Sequence, residues 1–211
     1  MGLNQQLLAI KFDEIKNVED FPKKFRLRDY TNEDGEQLLS GTELAYFINI
    51  NILQGYFERK YDVKNLDFVQ VSKKDMNYLI YICDQFLQYF SKDFIQEIQD
   101  YRDLNLYKYA KKYQSQYLDD LNKRNPDITN KIGAMFFISL NNKLKEVIKK
   151  NKGCQQIVKE ELPITPGFSY GDDRMTIYYL LNILEIKENF ENIKQYSLNT
   201  DKKKIYYHCW Y

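Results

Sequence analysis

Apolar positions recur along this chain at two spacings, every second residue in a few short runs and every third or fourth in longer ones. Leu3 to Phe12 holds Leu7, Leu8, Ile10 and Phe12 without a helix cap, which predicts an N-terminal strand. Residues 13 to 37 are charged and broken by Pro22 and Gly35, and read as a surface loop with a short ordered piece. Ser40-Gly41-Thr42-Glu43 has the spacing of a capping box, so a helix is expected from about 41 to 59. Its apolar face would carry Leu44, Phe47, Ile48, Leu53, Tyr56 and Phe57, interrupted by Asn49 and Asn51. Leu66 to Val71 alternates and predicts a second short strand. Ser72 and Asp75 then repeat the capping geometry ahead of Met76, Leu79, Ile80, Cys83, Phe86, Leu87 and Phe90, the clearest helical stripe in the sequence.

From 92 to 124 the chain turns polar and tyrosine-rich, closing on Asn125-Pro126, and reads as helical and less deeply buried. Ile132, Met135, Phe136, Leu140, Leu144, Val147 and Ile148 mark another helix. Pro163 and Pro166-Gly167 lead through Phe168-Ser169-Tyr170-Gly171 to a helix capped by Asp172 or Asp173, with Ile177, Leu180, Leu181, Leu184 and Phe190 inside. Ile205 to Tyr211 is a β-rich run and predicts a terminal strand. These elements add up to an α+β fold. It is a predominantly helical single domain over 1–211, with 92–130 a candidate helical insertion. A small, mainly antiparallel sheet contains both terminal strands, covered by the helices at 73–90, 130–150 and 173–190.

Composition narrows the function more than it specifies it. Aromatic residues make up 16% of the chain, 19 of them Tyr, which supports a large core despite 29% charge. The formal charge of +1 lacks the positive field of a nucleic-acid wrapper, and the local basic runs Lys23 to Arg28, Lys149 to Lys152 and Lys202 to Lys204 read as solvated faces. Cys83, Cys154 and Cys209 are odd in number and far apart, and one His accompanies them. That set suits neither a disulfide framework nor a zinc cluster, and no metal or cofactor is expected. The opening residues have no basic n-region or apolar h-region, and no apolar stretch is long enough for a bilayer. A cytoplasmic protein with no membrane partner is expected.

Three groups of residues are candidates for chemistry. Tyr170-Gly171-Asp172-Asp173 has paired carboxylates, the arrangement that holds catalytic magnesium in polymerases, but a second carboxylate motif and a basic channel are missing. Helix capping is the simpler reading. His208 and Cys209 are adjacent, and on a strand adjacent side chains point to opposite faces, so they do not form a dyad. Aromatic side chains supply the third group. Tyr109, Tyr113 and Tyr117 repeat at four-residue steps and form one helical row, the favoured protein-binding surface. Phe168 and Tyr170 with Tyr206, Tyr207, Trp210 and Tyr211 form a second aromatic set that could wall a nucleotide pocket, although core packing of the terminal strand is the better reading; Phe168, Tyr170 and Trp210 are its candidates for binding a nucleotide or a partner.

Met1-Gly2-Leu3 entering a strand, Glu43-Leu44-Ala45-Tyr46-Phe47, Val71-Ser72-Lys73 before Ile82-Cys83, Leu162-Pro163 to Gly167-Phe168-Ser169-Tyr170-Gly171, and Ile205-Tyr206-Tyr207 with Trp210 follow one another in a particular order. In that order the chain resembles a family of bacteriophage and prophage proteins, over about half its length. The family has a Trp where Phe47 stands, basic residues at Ile48 and Asn49, and a His at Gln54; Asn51 matches. The resemblance implies a phage setting and no chemistry. It leads to the expectation of a non-catalytic accessory protein acting in the host cytoplasm. Such a protein would inhibit or sequester a component of bacterial defence, either a host protein such as a CRISPR effector or a signalling nucleotide. The alternative is a small enzyme acting on a nucleotide or nucleic acid through Asp172 and Asp173.

Overall fold

Alternation along Asn4–Phe12 (β1) sorts its side chains onto two faces, with Gln5, Leu7 and Ala9 buried on one and Ile10 and Phe12 buried on the other. A strand buried on both faces belongs in the middle of a sheet. The computed structural model, which describes residues 2–103, 126–164, 175–197 and 202–211, places it there. β1 pairs antiparallel with Leu39–Ile48 (β3) on one side and with Lys204–Trp210 (β5) on the other. Asp67–Gln70 (β4) adds to β5, and Lys24–Arg26 (β2) adds to β4. The result is a five-stranded antiparallel sheet in the order β2-β4-β5-β1-β3, with the first and last strands of the chain as neighbours. The expected α+β class, with both terminal strands in one sheet, is what the chain forms.

The segment from Ser40 to Arg59 differs from the sequence reading. Leu39–Ile48 is a strand, and the helix α1 begins only at Asn51 and runs to Tyr61. Ser40 and Glu43 sit in that strand, where no helix end exists for them to cap. The reason is periodicity and partner: Ala45 and Phe47 are buried while Tyr46 and Ile48 are exposed, a period of two that matches the pleat of β1 opposite. Asn49 ends the strand in the left-handed region (φ 57°), and its Oδ1 accepts from the Leu3 N–H at 2.8 Å.

The two faces of the sheet are covered by different means. On the Leu7 face α1 packs down, and Phe57 stacks on Tyr207 with centroids 3.9 Å apart and planes 11° from parallel. On the other face Ile10, Phe12, Phe21, Phe25, Phe68 and Tyr206 form one cluster. Phe21 and Phe25 come from the segment expected to be a surface loop. That segment instead folds back through β2 and two 3-10 turns, Val18–Asp20 and Leu27–Tyr30. Each buried Phe contributes about 1.5–3 kcal/mol, so the segment is held by its aromatic residues while its charges stay in water.

Among the described residues the remaining α-helices are Lys73–Leu87 (α2), Lys92–Arg102 (α3), Pro126–Lys150 (α4), Lys152–Gln156 (α5) and Ile177–Ser197 (α6). The cap of α2 forms as its sequence indicates: Ser72 N–H donates to Asp75 Oδ2 at 2.8 Å, and Asp75 N–H donates to Ser72 Oγ at 3.2 Å. Two compact units result. The first comprises Met1–Asp84, Ile157–Arg174 and Asn182–Tyr211 and contains the sheet; the second comprises Gln85–Gln156 and Met175–Leu181. In the second unit Ile132, Phe136, Leu140 and Leu144 form the buried row of α4, whereas Met135 is 50% exposed. Tyr101 of α3 meets the Phe136 ring edge-on at 5.5 Å, and the Ile177 N–H donates to Asn141 Oδ1 at 2.8 Å. Among the described residues no helix is long and apolar enough to cross a membrane.

Candidate binding face of the sheet

Alternation in β5 sets Tyr206, His208 and Trp210 on the face opposite α1. Pairing of Phe68 with His208 and of Phe25 with Phe68 extends a line of rings across β2, β4 and β5. The Phe25 and Phe68 rings stack at 4.7 Å and 15°, Phe68 and His208 at 3.9 Å and 9°, and His208 and Trp210 at 5.2 Å and 25°. Trp210 then reaches Tyr46 on β3 at 6.1 Å. The line starts in the core and ends in water: Phe25 and Phe68 are buried, His208 and Trp210 half-buried, Tyr46 41% and Ile48 60% exposed. The transition happens because β1 presents Asn4 and Gln6 on this face, and polar side chains of that length do not roof an aromatic neighbour. They hold the rim instead. The Tyr46 hydroxyl donates to Asn4 Oδ1 at 2.5 Å, and the Gln6 amide donates to Glu43.

His208 belongs to this stack, and among the described residues it pairs with no nucleophile. Its Nδ1 lies 3.2 Å from the Asp67 carbonyl oxygen, which only accepts, so Nδ1 carries the proton. Burial lowers the imidazole pKa below the ordinary histidine value, against the smaller opposing effect of Asp67, and the ring is neutral at pH 7. Cys209 points to the opposite face, as strand geometry requires. Burial pushes the Cys209 thiol up to about 12, Cys83 up to about 12 and Cys154 up to about 11, so none is a thiolate nucleophile at neutral pH.

Two polar constellations on the other side of the sheet are built into the fold. The Lys60 ammonium lies 2.5 Å from Asp75 Oδ1, donates to the Tyr56 hydroxyl at 2.9 Å, and stands over the rings of Tyr56, Tyr61 and Tyr78 at 5.2, 5.7 and 5.6 Å. Burial opposes the Asp75 charge, but hydrogen bonds from Lys60, Ser72 and Tyr61 outweigh it and hold the carboxyl at about 2. This aromatic cage is filled by its own lysine. The second constellation is buried up to its last member, the half-buried Glu58: Ile50 N–H donates to Gln5 Oε1 (3.2 Å), Gln5 Nε2 to the Tyr207 hydroxyl (2.7 Å), that hydroxyl to Gln54 Oε1 (2.5 Å), and Gln54 Nε2 to Glu58 (2.9 Å). Gln54 is therefore an internal link between α1 and β5.

Of the residues singled out from sequence, Trp210 is placed on the exposed aromatic face. Tyr109, Tyr113 and Tyr117 lie outside the described residues, as do Phe168 and Tyr170, and Asp172 and Asp173 with them. The structure adds Tyr46 and Ile48. Sequence reasoning missed them because residues 41 to 59 read as helix; the signal available was the alternation of Ala45, Tyr46, Phe47 and Ile48. No protein-family model, curated protein or solved structure matches this chain.

Proposed function

We propose that this chain is a non-catalytic, phage-encoded accessory protein that inhibits or sequesters a component of bacterial defence, and that it grips a protein target with the sheet face bearing Tyr46, Ile48 and Trp210. The observation that carries the reading is the exposure of Tyr46 and Ile48 beside Trp210 on a rigid sheet. Tyr and Trp immobilised before binding lose little entropy on contact, which is why such residues dominate interface energetics. The ring stack favours a protein over a nucleotide as the target: the His208 ring already stacks on Phe68 and on Trp210, at 3.9 and 5.2 Å between centroids, which leaves a base less room beside it. The phage setting rests on the family resemblance, and the raised thiol pKa values leave no thiolate nucleophile at Cys83, Cys154 or Cys209.

The test is a plating assay in bacteria carrying individual defence systems, with and without this chain. The wild type restores phage plating against one of them. Tyr46→Ala with Ile48→Ser, and separately Trp210→Ala, abolish that rescue while the purified variants remain folded by circular dichroism. Truncating one hot-spot side chain costs about 2 kcal/mol or more in binding, roughly thirtyfold in affinity. Rescue undiminished in both variants, or no rescue by the wild type across the defence systems, overturns the proposal.

A further inference from the structure

The sheet has a long open edge. β3 is the last strand of the order β2-β4-β5-β1-β3, and among the described residues no strand pairs with its outer side. Which of its backbone groups face outward follows from the hydrogen bonds at either end. Asp13 N–H donates to Leu38 O and Asn49 N–H to Leu3 O, so the odd-numbered residues of β1 bond to β3. Val71 N–H donates to Ile205 O, so the odd residues of β5 bond to β4 and its even residues bond to β1, in agreement. Leu39, Gly41 and Glu43 therefore point their N–H and C=O groups away from the sheet, as do Tyr46 and Ile48 beyond the register shift at Leu44.

Natural edges of this kind are protected by lysine, proline or a bulge. Here the run Leu39-Ser40-Gly41-Thr42-Glu43 has no lysine and no proline, and the irregularity comes only after it. Ser40, Gly41, Thr42 and Glu43 are all exposed. We propose that this edge pairs with the same edge of a second copy, antiparallel about a two-fold axis at Gly41. The run is self-complementary in that register. Gly41 faces Gly41 of the second copy, Leu39 faces Glu43, and Ser40 faces Thr42, so every outward amide and carbonyl of the run finds its mate. Glu43, the charge in the run, lies against an apolar residue and not against its own copy. Ser40 and Thr42 meet on the reverse face, where Thr42 Oγ1 accepts from Lys203 Nζ at 3.1 Å and its own proton is left to donate to Ser40 across the seam. A net charge of +1 gives the two copies little reason to repel. The two-fold axis stands perpendicular to the sheet, so both copies show their Tyr46 and Trp210 faces on the same side of one continuous sheet.

Sedimentation of the purified full chain over a range of concentrations tests this. The wild type goes from single to double mass as concentration rises. Gly41→Lys fits sterically, since a Cβ there has only Ile10 Cγ1 at 3.8 Å and Leu8 Cδ2 at 3.9 Å as neighbours, but it sets two ammonium groups against each other at the axis. It stays at single mass throughout, with unchanged melting in dilute solution; Gly41→Val keeps the doubling. Register is read by oxidation with copper phenanthroline: Ser40→Cys and Thr42→Cys proteins cross-link when mixed and not when each is alone, the native thiols being buried. A wild type of single mass at every concentration, a Gly41→Lys variant that still doubles, or a Ser40→Cys protein that cross-links to itself overturns the proposal.

Discussion

Replacing Tyr207 by Phe deletes one oxygen from the interior of the sheet and leaves everything else about the side chain in place. The ring still stacks on Phe57 at 3.9 Å, so no apolar burial is lost. What disappears is the acceptor for Gln5 Nε2 and the donor to Gln54 Oε1. Gln5, Gln54 and Tyr207 are all fully buried, which denies both amides a replacement from water. A buried polar group deprived of its partner costs about 1–3 kcal/mol, so two of them cost about 2–4 kcal/mol after some relaxation. At about 2–4 °C per kcal/mol for a chain of this size, the melting temperature falls by roughly 5–15 °C. The control is its neighbour. Tyr206→Phe removes one hydrogen bond, to the Pro22 carbonyl at 2.7 Å, in a partly buried position, and costs about 1 kcal/mol. Thermal melts followed by circular dichroism, with urea titrations for the free energies, compare the two. If Tyr207→Phe proves no more destabilising than Tyr206→Phe, the buried relay does not contribute as argued. A partial recovery in Tyr207→Phe with Gln5→Leu, relative to Tyr207→Phe alone, identifies the stranded Gln5 amide as one source of the loss.

Three further outcomes follow from the titratable groups. His208 is the one histidine of the chain, so its imidazole resonance needs no assignment; it titrates with a midpoint below the ordinary value of about 6.5, and a midpoint at or above that value contradicts the burial argument. Because the folded pKa is depressed, the unfolded state takes up this proton first, and stability declines as pH falls below about 6.5. Asp75 is also depressed but is an acid, so its contribution is complete above about 4 and lost as pH falls toward about 2. Asp75→Asn is less stable at neutral pH and flatter across that acid window, and parallel stability curves for the two proteins would remove the role given to the Lys60 and Ser72 bonds. Finally, Cys83, Cys154 and Cys209 are unreactive toward a disulfide reagent in the native protein and all react once it is unfolded in urea; rapid labelling of any of them in the folded state would show an open thiol.

Much of the fold was legible in local pattern because the pattern and the tertiary environment agree. β1 alternates and is a strand, Ser72 and Asp75 cap α2, and the terminal β-rich run occupies β5. Local rules failed where two of them competed. Ser40 and Glu43 have capping spacing, and Ala45 to Ile48 have strand alternation; nothing in the segment alone chooses between them. Pairing with β1 chooses, since a strand there satisfies the outer amides of β1 and buries Phe47 in the same act. The charged stretch 13–37 reads as loop because charge is local, while the value of Phe21 and Phe25 depends on Phe12, Phe68 and Tyr206 being brought to the same face from distant parts of the chain. The candidate site divides in the same way. The exposed side of Trp210 and its aromatic neighbours on β5 are a matter of strand periodicity and were open to sequence reasoning. That Tyr46 stands beside Trp210, that the His208 ring stacks on Phe68 from another strand, and that no strand among the described residues pairs with the edge of β3 depend on strand order and register, which are set by contacts between residues far apart in sequence and leave no mark in either strand by itself.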